Sequence, residues 1–184
     1  MESSLEKFAK KVIIALNESE IDYVIIGGFA AIVYGRPRTT MDIDIIINLE
    51  PENRFAIKKL VNILSKYDLE TYERDIMMAL NEKSHFSIFD KASPLRIDAK
   101  GIYRKLDRIA LVNRRKIKVF GIEAWFESPE DLIVAKLVYG SQQDIEDVIA
   151  VLVNLKDQID LEYLKKRAIE EHVDDILRKV LSSV

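Results

Sequence analysis

The sequence predicts an α+β protein, with a mixed β-sheet core flanked by helices and a helical bundle at the C-terminal end. Short, apolar, β-branched runs recur between residues 23 and 126, at the lengths of buried strands. Helical spacing of apolar residues precedes the first run and returns after a helix start at residue 128. No linker rich in Gly, Ser or Pro separates the two parts, so we expect a core over 1–126 and helices over 127–184 that share an interface.

In the first part, helices alternate with strands. Ser3 and Glu6 form a candidate capping box ahead of an amphipathic pattern. The first strand ends in two glycines, the second is rich in isoleucine, and Pro51 suits the first turn of the next helix. The predicted elements are a helix over 5–16, a strand over 23–26, a helix over 29–34, a strand over 43–47 and a helix over 51–64.

Further short strands are predicted after that helix, and then only helices. Ser128 is a good N-cap, Pro129 suits the first helical position, and Asp131 completes a capping box. The predicted strands cover 86–89 and 95–99, joined as a hairpin, and then 109–112, 117–120 and 122–126. The predicted helices cover about 129–139, 142–155, 161–170 and 173–182.

Composition excludes several classes of protein. The chain has 184 residues and no cysteine, which excludes disulfides, thiol catalysis and zinc sites built on thiolates. Its two histidines are far apart in the sequence, which excludes a His-rich metal site, and we expect His85 to be structural. The net charge of −3 argues against a general nucleic-acid coat.

No segment of the sequence suggests a membrane or secretory role. The longest uncharged apolar stretch, over 23–35, is shorter than the roughly 20 residues that span a bilayer. The first residues show no basic region followed by an apolar run. We therefore expect a cytoplasmic protein that does not interact with membranes.

Two carboxylates stand at the start of the second strand. Alternation along a strand points Asp42 and Asp44 to one face, with Cα atoms about 6.5–7 Å apart, while Ile43 points into the core. Paired carboxylates repel each other unless cations neutralise them, and Mg²⁺ or Mn²⁺ is a natural partner. A bare Asp-x-Asp is more often a solvated strand end, so its surroundings decide the interpretation.

Those surroundings favour a metal and a phosphate. Gly27 and Gly28 lie between a strand and a helix, where backbone N–H groups can bind an anion. A third acid, Asp98, lies within another apolar strand and needs a partner there. An ion shared with Asp42 and Asp44 would provide one.

This arrangement resembles the DNA polymerase β-type nucleotidyltransferase superfamily, and within it the small prokaryotic nucleotidyltransferases of the AbiEii and related toxin type. The segments that carry the resemblance span residues 26 to 147. They are Ile26-Gly-Gly-Phe-Ala-Ala31, Arg38-Thr-Thr-Met-Asp-Ile-Asp44, Arg96-Ile-Asp98, Ser128-Pro-Glu-Asp-Leu-Ile-Val-Ala-Lys136 and Asp144-Ile-Glu-Asp147.

The resemblance implies a role for each matching residue. Asp42 and Asp44 would bind two metal ions, and Asp98 would bind one of them and help to deprotonate the attacking hydroxyl. Gly27 and Gly28 would approach the nucleoside triphosphate, and Lys136 would direct its ammonium group to it. The lysine could equally be a surface residue with a buried stem.

Four further residues complete the predicted site. Arg38 and Thr40 are candidates for nucleotide binding, although Arg38 could pair with an acid instead. Asp144 and Asp147 are predicted to support the site by orienting Lys136 or Arg38 rather than by binding metal.

A basic segment over 100–118 suggests where an acceptor binds. It is either a solvated face or a phosphate track for nucleic acid, with a tRNA 3′ end as the first candidate. The candidate acceptor-binding residues are Arg104, Lys105, Arg108, Arg114, Arg115 and Lys116.

We therefore expect a metal-dependent enzyme that moves a nucleoside monophosphate from a triphosphate to a hydroxyl. The resemblance also suggests the toxin of a toxin–antitoxin pair, with an antitoxin partner. Two alternatives stay open: the acceptor is a protein or small-molecule hydroxyl, or the protein binds nucleotides without turnover as an antitoxin or regulator.

Overall fold

The computed structural model describes residues 3–184, so the first two residues of the predicted core lie outside the described part. Seven strands form one mixed sheet in this part. They are β1 (Tyr23–Ile26), β2 (Asp42–Ile47), β3 (Leu69–Glu70), β4 (His85–Asp90), β5 (Arg96–Lys100), β6 (Arg115–Val119) and β7 (Ile122–Phe126). The predicted α+β class is confirmed.

The helices of the described part flank this sheet and extend beyond it. Within the core they are α1 (Ser4–Ser19), α2 (Gly27–Tyr34), α3 (Arg54–Lys66), α4 (Glu73–Asn81) and α5 (Lys105–Val112). The C-terminal helices are α6 (Pro129–Tyr139), α7 (Gln142–Asn154), α8 (Leu161–Glu170) and α9 (Asp174–Leu181), with a short 3₁₀ turn at Lys156–Gln158.

The strand order β3-β4-β5-β2-β1-β7-β6 brings distant segments together. At its centre β2 runs antiparallel to β1 and parallel to β5. The register places Asp44 opposite Ile26 on one side and opposite Asp98 on the other. The connection from β2 to β5 passes through α3 and α4, so parallel pairing joins two acids that are 54 positions apart in the sequence.

The two faces of the sheet differ in how they are covered. The main hydrophobic core includes Phe8 of α1, Ile43 of β2 and Leu60 of α3. On the other face, Ala110 and Leu111 of α5 pack on Val24 and Ile46 in a small separate cluster. Along β5 the residues on this second face are only half-buried, and the predicted site lies there.

The C-terminal helices share the main core, which also contains Leu132, Val148 and Leu164. Ser128 caps α6 by accepting a hydrogen bond from the Asp131 backbone N–H, 3.1 Å away. Gly140 ends α6 in the left-handed conformation, with φ +67°, and Ser141 caps α7 immediately afterwards. This tight turn brings the end of α6 against the start of α7. The division into 1–126 and 127–184 stays a prediction.

The prediction of a strand over 109–112 is wrong, because these residues end helix α5. A run of four apolar residues has no period that separates a strand from a helix. The deciding contact is local: the Asp107 carboxylate accepts the backbone N–H groups of Tyr103 and Arg104, at 3.0 and 2.9 Å, and so stabilises the helix start.

Three other differences concern two elements that the pattern did not indicate and the end of one predicted strand. Helix α4 buries Ile76, Ala79 and Leu80 at helical spacing. The two-residue strand β3 is too short to leave a periodic signal. Phe120, predicted to end a strand, lies in a turn with φ +51°.

Candidate active site

Three aspartates lie on the partly open face of the sheet. Asp42 and Asp44 alternate with the buried Ile43 on β2, and Asp98 stands beside the buried Ile97 on β5. Because Asp44 and Asp98 occupy the same register position, their backbones are separated by the spacing of adjacent strands, about 4.8 Å. The carboxylates of distant motifs therefore meet at one place.

Gly27 makes room for the central carboxylate. A Cβ atom at this position would lie 2.7 Å from Asp44 Oδ2, and the backbone has φ +65°. Both features require glycine. Burial raises the pKa of Asp44 to about 6, and the neighbouring carboxylates of Asp42 and Asp98 add to the effect. The three acids thus repel each other, as expected for a cation site.

An arginine occupies the space between these carboxylates. Arg96 Nε lies 2.9 and 3.1 Å from the two oxygens of Asp98, and Nη2 lies 3.5 Å from Asp42 Oδ2. Ser87 on β4 donates to Asp98 Oδ1 at 2.7 Å, and Thr40 donates to Asp42 Oδ1 at 3.1 Å. With Arg96 in this position, no three acidic or histidine side chains in residues 3–184 stand close enough to hold a metal ion.

A second cluster of charges lies beside the first. Lys136 Nζ is 2.8 Å from Asp144 Oδ1 and 2.9 Å from Asp147 Oδ2. Arg38 donates from Nε and Nη2 to the two oxygens of Asp147, at 3.0 and 3.1 Å. The sequence left phosphate and an acid open as partners of Arg38, and in the structure Arg38 pairs with the acid Asp147. The cluster contains two cations and two anions and is neutral.

Gly28 adjoins this second cluster. A Cβ atom there would lie 2.8 Å from Arg38 Nη2. The two glycines therefore let one side chain from each cluster, Asp44 and Arg38, approach the start of α2. This close approach is a second reason for the glycine pair, beside the predicted contact with phosphate.

A buried carboxyl group lies under the same turn. Gly27 donates its backbone N–H to Glu127 Oε1 at 2.8 Å, so this N–H already has a partner. Burial raises the pKa of Glu127 to about 8, and the bond from Gly27 only partly offsets it. Sequence reasoning did not single out Glu127. Its position directly after an apolar strand, ahead of Ser128-Pro129, was the available signal.

These groups surround a cleft of about 230 Å³ between the sheet and α6. Its charged and polar lining comes from Asp44, Asp98, Lys100, Lys136 and Asp144, and the glycine pair forms its floor. His85, expected to be structural, is exposed and lines the cleft, as does the exposed Tyr139. Lys100 pairs with Asp107 at 2.7 Å. The three negative charges of Asp42, Asp44 and Asp98 and the one positive charge of Arg96 sum to a local formal charge of −2.

The basic segment over 100–118 is largely neutralised by neighbouring acids. Arg115 pairs with the fully buried Glu130 at 2.8 Å, and Arg114 pairs with Asp22 at 2.6 Å while lying over the Trp125 ring. Lys105 and Lys116 have carboxylate partners at 3.2 and 3.6 Å, Glu170 and Glu123. Arg104, directly before α5, and Arg108, on α5, are exposed and make no ion pair with any described residue.

Comparison with known proteins identifies the family. The model of a family described as nucleotidyltransferase of unknown function, DUF6036, matches residues 3–180. The chain belongs to this nucleotidyltransferase family. No curated protein matches its sequence. Membership agrees with the superfamily resemblance, whereas the AbiEii-like subtype stays a prediction.

Solved structures share the fold of this family member at low sequence identity. ANT(2″)-Ia, solved in complex with adenylyl-2″-tobramycin, is 14% identical with a TM-score of 0.63, over 92% of this chain and 98% of its own. An antigenic nucleotidyltransferase-like protein from Paracoccidioides brasiliensis is 19% identical with a TM-score of 0.57, over 98% and 94%. JHP933 from Helicobacter pylori is 14% identical with a TM-score of 0.52, over 91% and 74%.

Among residues 3–184, no helix is both long enough and apolar enough to cross a membrane.

Proposed function

We propose that this protein transfers a nucleoside monophosphate from a nucleoside triphosphate to an acceptor hydroxyl. One observation carries the proposal: the register of β2 and β5 sets Asp44 beside Asp98, next to the Gly27 turn. Family membership supports the reaction class. A non-catalytic regulator would have no need of three repelling carboxylates at one point of its sheet.

The donor set fits a hard divalent cation such as Mg²⁺ or Mn²⁺. Asp42, Asp44 and Asp98 offer only oxygen ligands, and the local charge of −2 calls for a counter-ion. Rotation of the Asp98 and Asp42 side chains away from Arg96 is needed before all three can share an ion. Such ions, when bound, neutralise phosphate charge and favour in-line displacement.

The protein's own groups have distinct tasks in this proposal. Asp98, oriented by the Ser87 hydroxyl, accepts the proton of the attacking hydroxyl. Lys136 lines the cleft and presents positive charge to the triphosphate, while Asp144 and Asp147 hold its position. Thr40 orients Asp42. Positioning and charge supply most of the catalysis in phosphoryl-type transfer, so no protein nucleophile is needed.

For the acceptor we propose a nucleic acid, with a tRNA 3′ end as the first candidate. Arg104 and Arg108 support this assignment, because both are exposed, one directly before α5 and one on it. Leu106 and Asp107 of α5 line a small cavity together with Gly27. A small hydroxylated molecule is the second candidate. Neutralisation of Arg114, Arg115 and Lys116 favours it, and so does the fold shared with ANT(2″)-Ia.

The test is incubation with each α-³²P-labelled nucleoside triphosphate and Mg²⁺, with total tRNA or an aminoglycoside as acceptor. Label in tRNA that disappears when the 3′ end is oxidised with periodate supports the first candidate, and label in the small molecule supports the second. Pyrophosphate release with neither acceptor labelled would point to a protein hydroxyl. Binding of nucleotide without any pyrophosphate release would contradict the proposal and favour the regulator. The toxin role stays a prediction, which growth assays would test.

A further inference from the structure

We propose that Arg96 is an internal counter-ion that takes the place of the divalent metal in the metal-free protein, so that metal binding requires its displacement. This inference rests on the proposed function, because it assumes that Asp42, Asp44 and Asp98 bind the ion. It adds that Arg96 must be displaced before the ion can bind.

The contacts of Arg96 support the inference. Its guanidinium donates to both oxygens of Asp98 and forms an ion pair with Asp42, which are two of the three proposed metal ligands. Arg96 and Asp98 are two positions apart on β5, so both side chains emerge on the same face. A carboxylate oxygen that bonds this guanidinium is not free to bind an ion in the same direction, and two cations at one point repel each other.

Exposure shows that this arginine can leave. Its side chain is 42% exposed, and its neighbour across the β4–β5 ladder is the exposed Phe89. Lys136, by contrast, is 8% exposed and held by two carboxylates. The site therefore combines cations held by buried carboxylates, Lys100 and Lys136, with one exchangeable cation, Arg96, which pairs with two of the proposed metal ligands.

The consequence is a threshold for metal binding. An ion that arrives alone must displace Arg96 with three carboxylates as its only new partners. An ion that arrives with a nucleoside triphosphate also brings phosphate oxygens and negative charge, which compensate for the displaced guanidinium. We therefore expect weak binding of free Mn²⁺ by the wild-type protein and tighter binding once Arg96 is neutral.

The experiment measures Mn²⁺ binding without nucleotide, from the electron paramagnetic resonance signal of free Mn²⁺. Arg96→Met removes the charge and keeps the stem, and Arg96→Gln provides a second variant in case the first folds poorly. Arg178→Met is the matched control, since Arg178 also bridges two aspartates, Asp174 and Asp175, but in α9. We expect about tenfold tighter Mn²⁺ binding in the Arg96 variants and no change in the control.

Thermal unfolding gives an independent readout. Without metal, the Arg96 variants should melt at a lower temperature than wild type, because Asp42 and Asp98 lose the cation that pairs with them. With Mn²⁺ the difference should disappear. Equal or weaker Mn²⁺ affinity in folded Arg96→Met and Arg96→Gln would overturn the inference.

A further variant separates this inference from the proposed function. Asp44→Asn combined with Arg96→Met should lose the tight Mn²⁺ binding. If the double variant binds Mn²⁺ more weakly than Arg96→Met, while Arg96→Met alone binds no better than wild type, the metal site stands and only the role of Arg96 is wrong. If the double variant binds as well as Arg96→Met alone, the ion lies elsewhere, and the proposed metal site fails with the inference.

Discussion

Single residues fix the geometry of the glycine turn. Gly27 combines a left-handed backbone with a close approach to Asp44, whereas Gly121, with φ +85°, has nothing within 4 Å of its missing Cβ atom. Substitution by alanine at either position incurs the cost of the left-handed conformation, about 1–2 kcal/mol. Only at Gly27 does the new methyl group also collide with a carboxylate.

We therefore predict that Gly27→Ala and Gly121→Ala both lower the free energy of unfolding. Only Gly27→Ala should also weaken Mn²⁺–nucleotide binding. Urea unfolding and nucleotide titration of the two variants test this. Gly28→Ala should have a smaller effect than Gly27→Ala, because the atom it meets is the mobile end of Arg38. Unchanged binding in Gly27→Ala would show that Asp44 is not held by this turn.

The buried Glu127 predicts a pH dependence of stability. Its pKa is raised from 4.5 to about 8, so between these values the folded protein keeps a proton that the unfolded chain has lost. Stability from this group is complete below pH 4.5 and is lost as the pH rises through 8. Glu127→Gln removes the titration and leaves an oxygen to accept the Gly27 N–H.

Relative to wild type, Glu127→Gln should gain roughly 1–3 kcal/mol in unfolding free energy between pH 5 and pH 8. Urea unfolding at several pH values measures the difference. Glu146→Gln, at an exposed glutamate paired with Arg36, is the control and should show no such gain. Parallel pH profiles for wild type and Glu127→Gln would contradict the account of Glu127.

At the scale of secondary-structure elements, the α6–α7 turn holds Lys136. Gly140 and Ser141 bring the two helices together so that Lys136 lies between Asp144 and Asp147. Replacing the lysine leaves two carboxylates without their shared partner, one of them buried. Methionine fills the volume of the lysine stem but does not replace this charge, so Lys136→Met lowers stability as well as removing the ammonium group.

We predict that Lys136→Met destabilises the fold by about 3–5 kcal/mol, the range for breaking a buried ion pair. Lys105→Met, at an exposed pair with Glu170, should lose less than about 1 kcal/mol. Adding Asp147→Asn to Lys136→Met should restore part of the loss, as a double-mutant cycle would show. A loss for Lys136→Met as small as that of the control would mean that the ion pairs form only weakly in solution.

Sequence reasoning reached most elements because their signals are local. Caps at Ser3 and Ser128 and the glycines at 27–28 mark element boundaries, and each depends on neighbours within a few positions. Part of helix α5 was mistaken for a strand because its apolar run is short and because Asp107, in its first turn, acts through backbone contacts that no pattern displays.

The candidate site was accessible to sequence reasoning only in part. The three aspartates stand out because acids inside apolar strands are unusual. Arg96 shares the face of Asp98 through simple alternation and could have been found. Ser87 could not, because its role depends on the pairing of β4 with β5, which sets it opposite Asp98. For Glu127 the sequence shows its position ahead of Ser128-Pro129 but not its burial under the glycine turn.

At the scale of the whole molecule, the charge distribution bears on the proposed acceptor. The net charge is −3, and most cations of the segment over 100–118 are bound to acids of the same chain. Reversing Arg115 would leave the buried Glu130 facing a like charge, so that variant would report on stability. Arg104 and Arg108 are the informative positions.

If a tRNA end binds there, Arg104→Glu with Arg108→Glu should flatten the log–log salt dependence of RNA binding by about 0.7–0.9 per lost phosphate contact. Nucleotide binding should not change. Arg74→Glu with Lys58→Glu, two exposed cations on α4 and α3, imposes the same change in net charge and serves as the control. An equal effect of both pairs would indicate a general charge effect, and no effect of either would favour a small acceptor.

The most direct test of the central claim compares wild type with Asp98→Asn in two assays, nucleoside triphosphate binding and pyrophosphate release, both with Mg²⁺. Asp42 and Asp44 remain in the variant, so we predict that it still binds the nucleotide, while release falls by at least about a hundredfold through loss of the group that accepts the hydroxyl proton. Pyrophosphate release at the wild-type rate by a folded Asp98→Asn variant would contradict the claim that these carboxylates form a nucleotidyl-transfer site.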